Sequence, residues 1–166
     1  STSHIPVFGV PASLQQASDL HLLQVTGVGS NNIGLTATTV FHTLVPGTVT
    51  FGSTIAPVIT ALAGPYKRLQ GVVTLPADYN SVNFSVTFGS AGRAEAFGET
   101  RNYSGTGAVT LAMPDFSGVA GFSTNWVGAT SDAASYVFSA NSGISAAPNA
   151  CAEGATASSA YLVGSN

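Results

Sequence analysis

Histidine, cysteine and carboxylate side chains could do covalent or metal chemistry, and this chain of 166 residues holds few of them. His4, His21 and His42 lie far apart, without the i,i+2 or i,i+4 spacing that would bring two ligands together on one strand or helix. Cys151 sits between Ala150 and Ala152, with Glu153 beyond. No neighbouring cation lowers its thiol pKa, and with one cysteine no intrachain disulfide forms, so it reads as a small structural hydrophobe. There is no G-x-S-x-G elbow and no glycine-rich phosphate loop running into a helix. The carboxylates Asp19, Asp78, Glu95, Glu99, Asp115, Asp132 and Glu153 show neither a D-x-D pair nor a calcium-loop pattern. A glycosidase pair converges only in space, and nothing in the spacing singles out two of the seven. The expectation is therefore no catalytic residues, no metal site and no cofactor.

Binding chemistry leaves more traces. Trp126, the only tryptophan, follows Ser123, Thr124 and Asn125. An indole beside an amide and hydroxyls is the composition of a sugar-stacking platform, although the same ring would also fill a core. Tyr66, Tyr79 and Tyr103 fall at expected turns, either as an aromatic rim for recognition or as caps on the core with hydroxyls outward. Arg93, Glu95, Glu99 and Arg101 hold half of the basic groups. They read as two ion pairs flanking a turn near Phe97-Gly98, or as a polar partner contact. Asn83-Phe84-Ser85 and Asn102-Tyr103-Ser104 are N-glycosylation sequons, so Asn83 and Asn102 are candidate acceptors.

The elements that must position these residues are strands. Ser81 to Phe88 alternates strictly, with Val82, Phe84, Val86 and Phe88 on one face and Ser81, Asn83, Ser85 and Thr87 on the other. Leu35 to Leu44, Thr48 to Phe51, Val72 to Leu75, Ala108 to Met113, Tyr136 to Ala140 and Ser159 to Val163 fit the same template. Turn residues separate them, among them Val45-Pro46-Gly47, Ala63-Gly64-Pro65 and Asn141-Ser142-Gly143. The fold class follows: all-β, an antiparallel β-sandwich of Ig-like or jelly-roll-like kind, in one domain over residues 1–166 with at most one short helix. Ala12 to Leu23 could supply about three helical turns, whereas Ile55 to Ala63 is apolar all round and its period is undecided. Val49 to Ser53 recurs as Val86 to Ser90, each copy expected to end a strand with its Phe buried. The stretch Gly143 to Ser159, rich in Ala, Ser and Gly, reads as a long irregular loop before the final strand.

Charge bounds the function. Four Lys+Arg and seven Asp+Glu make only 7% charged residues, against about 25% in an ordinary domain. Four basic residues are too few for a nucleic-acid footprint, so no nucleic-acid partner is expected. No apolar run is long enough for a transmembrane helix. The start Ser1-Thr2-Ser3-His4 reads as a mature chain after signal-peptide removal, which sets an extracellular or cell-surface location as the expectation.

Soluble monomers use interspersed charge to stay apart and to blunt sheet edges. A chain this poor in charge is expected to be a non-enzymatic structural or adhesive surface protein, a subunit of a filament, pilus-like fibre or surface layer joined through strand edges. Ile5, Val7, Phe8 and Val10, in the apolar segment of residues 1–11, are the candidate subunit-contact strand. The alternative is a secreted lectin-like module that binds glycans through Trp126, Asn125 and the three tyrosines; an extracellular enzyme is the third class.

Overall fold

The computed structural model describes residues 10–43, 48–90, 93–103, 107–143 and 154–166. Nine strands form two antiparallel sheets: β1 (His21–Val28), β2 (Gly34–Phe41), β3 (Val58–Leu62), β4 (Arg68–Leu75), β5 (Ser81–Ser90), β6 (Arg93–Asn102), β7 (Gly107–Ala112), β8 (Ala133–Gly143) and β9 (Thr156–Ser165). The larger sheet runs β1-β2-β9-β8-β5-β6 and the smaller β3-β4-β7. The chain is an antiparallel β-sandwich. Among the described residues it has three-residue 3-10 turns and no α-helix.

The alternation of Ser81 to Phe88 builds the core. Val82, Phe84 and Val86 are fully buried and Phe88 nearly so, while Ser81, Asn83, Ser85 and Thr87 face away. At about 1.5–3 kcal/mol for each large side chain removed from water, only this register is tenable for β5. Its buried face meets Leu69, Val73 and Leu75 of β4 and Val109 and Leu111 of β7. Gly71 of β4 lies under the Phe138 ring of β8, where an added Cβ would come within 2.6 Å of the ring. A glycine is what lets the sheets approach there.

Several expectations change. Ala12 to Leu23 is not three helical turns: only Ala12–Leu14 is a 3-10 turn. His21 already belongs to β1, because eight residues of pairing with β2 outweigh a weak local preference. Ile55 to Ala63 contains the outer strand β3, with Pro57 just before it, where a missing N–H interrupts no ladder. Thr48 to Phe51 is irregular, so the two matching pentapeptides are not the same local solution. Phe51 is half-buried, and its ring stands over Gly27. Phe97-Gly98 is no turn, since β6 runs unbroken from Arg93 to Asn102 against β5. The last strand begins at Thr156, earlier than expected. Ile5, Val7 and Phe8 of the candidate contact strand lie outside the described residues, as do Cys151 and most of the Gly143 to Ser159 stretch; Val10 is exposed.

Candidate functional site

Twenty residues, 113–132, join β7 to β8. Connections this long are uncommon in compact domains and usually carry function. Lys67 and Arg68, adjacent at the start of β4, fasten this one at both ends. Arg68 donates to the Met113 carbonyl through Nε at 3.3 Å and Nη2 at 3.2 Å, and pairs with Asp115 at 3.0 Å. Lys67 Nζ donates to the Asp132 carbonyl at 2.8 Å, and its backbone N–H to Gly128 O at 2.9 Å. Asp115 accepts from the Ser117 N–H at 3.0 Å. That bond, with Arg68 assisting, holds its carboxyl below the usual carboxylate range. Tyr66 adds a further tie, donating to Pro114 O at 3.1 Å while accepting from the Phe116 N–H at 2.7 Å.

Half of the basic residues thus shape one loop. Replacing Arg68 by alanine is expected to cost about 2 kcal/mol, since hydrogen bonds to a charged group are lost and the Met113 carbonyl is left unpaired. Chemical denaturation measures the loss.

The fastened loop carries aromatic rings in contact. Phe122 packs on Tyr66 at 5.4 Å and on Phe116 at 5.9 Å, and meets Trp126 edge-on at 6.2 Å and 90°. Trp126 closes the short turn Thr124–Trp126, which the Ser123 hydroxyl caps by accepting from the Asn125 N–H. Its indole is 62% exposed, so it does not fill the core. Beside it a cleft of about 140 Å³ is lined by Tyr66, Phe88, Phe97, Met113, Pro114, Phe116, Trp126 and Val127. Gly128 anchors the far end of the loop against Phe88, where a Cβ would meet the ring at 2.9 Å.

Tyr66 and Trp126 therefore line one cleft, but Tyr66 is as buried as Tyr79 and only Trp126 is exposed, with exposed Asn125 preceding it. Tyr79 and Tyr103 do not line it. Tyr79 is buried and donates to Ser53 O at 2.6 Å, so it is no part of a wet rim. Tyr103 is half-buried against the core near Gly107. Burial, and then the Asp78 carboxylate, push the Tyr79 phenol up to about 12. A pKa raised in the fold means stability present in full below the unfolded value near 10 and lost as pH climbs through 12. Unfolding free energy is expected to fall between pH 10 and 12, and Tyr79→Phe to flatten that fall in denaturation curves taken across the range.

The candidate glycan acceptors differ in access. Asn83 lies mid-sheet on β5 and donates to Thr100 Oγ1 at 2.8 Å, whereas Asn102 is exposed at the end of β6. His21 stacks on Phe41, and His42 Nδ1 lies 2.7 Å from Asp19 O. Among the described residues no three His, Cys, Asp or Glu side chains converge. Glu99 and Arg101 form a same-strand pair at 2.7 Å; the side chains of Arg93 and Glu95 lie outside the described residues.

A second feature emerges from strand register. Paired positions across the large sheet form the row Thr26, Thr36, Ser159, Asn141, Ser81 and Asn102. The next row on this outward face is Val28, Gly34, Tyr161, Ser139, Asn83 and Thr100. Among the described residues that outward face carries no charge, and neither does the outer strand β1, whose Leu22 and Val28 are exposed. The charged positions of β6 alternate onto its other face. Single charges were visible in the sequence, but an absence of charge spread over six strands becomes visible only through register. Comparison with known proteins finds no match: no family model, no curated protein and no solved structure matches this chain.

Proposed function

We propose that this protein is an extracellular structural or adhesive subunit that assembles with copies of itself into a filament, pilus-like fibre or surface layer. The carrying observation is the uncharged outward face of the large sheet, which ends on the uncharged edge strand β1. Ser, Thr and Asn side chains each donate and accept, so rows of them complement a second copy of themselves. No like charges meet when two copies approach, and nothing on β1 blocks strand addition by Lys, Glu or Pro. Six strands spaced about 4.8 Å apart, eight to eleven residues long at about 3.3 Å per residue, present roughly 700–900 Å². That is near the ~800 Å² per partner of a standard interface. A free monomer has no evident use for such a face, whereas a subunit covers it. Electron microscopy of purified protein tests the reading: ordered filaments or sheets are expected, and discrete monomeric particles at every concentration overturn it.

A further inference from the structure

We infer that the aromatic cleft between the β7–β8 connection and β6 is a binding site for one neutral pyranose unit of a polysaccharide. Its volume of about 140 Å³ is well under the roughly 300–1,000 Å³ of pockets for drug-sized ligands, and suits a single ring. Trp126 and Phe116 stand at its mouth 62% and 43% exposed, an expensive arrangement for large apolar side chains unless a flat apolar surface covers them. A pyranose offers such a surface on its C–H face and hydroxyls around its rim.

None of the residues that line the cleft carries a charge, and the one hydroxyl among them, that of Tyr66, is already engaged with Pro114 O and the Phe116 N–H. Asn125 adjoins the indole, and Glu99 follows Phe97 by two positions on the same face of β6, held by Arg101 at 2.7 Å. Arg68 likewise neutralises Asp115 of the loop at 3.0 Å. An apolar lining with no counter-charge selects a neutral ligand over a uronic acid or a phosphate, whose charge would be desolvated there without a partner. The Lys67, Arg68 and Tyr66 ties fix the loop before any ligand arrives, so little ordering entropy is lost on binding. This site is independent of the sheet face, and neither inference needs the other.

Trp126 is the only tryptophan, so its emission reports the cleft directly. Wild-type protein is titrated with β-1,4-linked hexaoses of glucose, xylose, mannose and N-acetylglucosamine, with a uronic acid hexaose and n-octanol as comparisons. At least one neutral hexaose is expected to give a saturable blue shift with Kd near ~1 mM. Phe116→Ala, with its thermal unfolding checked, should weaken that binding at least tenfold, and Val163→Ala on the outward sheet face should not. No shift with any of the four neutral hexaoses overturns the site, as does equal affinity for the uronic acid. A shift with n-octanol alone assigns the cleft to an aliphatic ligand and also overturns it.

Discussion

Replacing Phe84 by alanine is expected to remove about 3–5 kcal/mol of stability and to lower the melting temperature by roughly 6–20 °C. Phe84 is fully buried, with its ring 5.7 Å from that of Phe138. The surroundings cannot close over the vacated space. β5 is hydrogen-bonded on one side to β6 and on the other to β8, so its backbone cannot move inward without breaking two ladders. Phe138 in turn packs directly on Gly71 of the other sheet, where even a Cβ would come within 2.6 Å of its ring. A cavity that cannot relax gives the upper part of the range. Thr87→Ala, on the outward face of the same strand, is expected to stay within about 0.5 kcal/mol. A loss below about 1 kcal/mol for Phe84→Ala would contradict the packing described here.

The second large effect is on assembly and leaves folding alone. Leu22→Lys together with Thr26→Lys places two charges on the exposed positions of β1. Both side chains face solvent, so thermal unfolding should change by no more than surface substitutions usually do. Assembly should be abolished, because joining two such edges would bring like charges together and bury them at the new ladder. Size-exclusion chromatography is expected to show a species of 16.6 kDa with an unchanged melting curve. Polymers that persist in this variant would remove β1 from the contact.

The parts of the fold legible in sequence are those where hydrophobic and polar residues alternate without interruption. β5 is the clearest, because a one-residue slip would bury Asn83, Ser85 and Thr87 in place of the four apolar side chains. β6 also alternates, in a different alphabet: Arg93, Glu95, Phe97, Glu99 and Arg101 against Ala94, Ala96, Gly98, Thr100 and Asn102. A rule keyed to apolar residues passes over it, and Phe97-Gly98 then imitates a turn. β1 and β3 are outer strands with weak patterns, and pairing with a neighbour decides them.

The candidate site was legible only in fragments. Trp126 and Asn125 stand out by composition, but a loop has no period from which exposure can be read. Tyr66 reaches the cleft across fifty residues of chain, through its hydrogen bond with Phe116. Lys67 and Arg68 became intelligible only when the loop they fasten was seen to begin at Met113 and end at Asp132.

The most direct test of assembly through an uncharged face is sedimentation velocity of the wild-type protein over a concentration series, at low and at high salt. Assembly driven by neutral hydrogen bonding and apolar contact should produce species far above 16.6 kDa at both salt concentrations, because there are no interfacial charges to screen. A single 16.6 kDa species at every concentration, or polymers that dissolve as salt rises, would contradict the account.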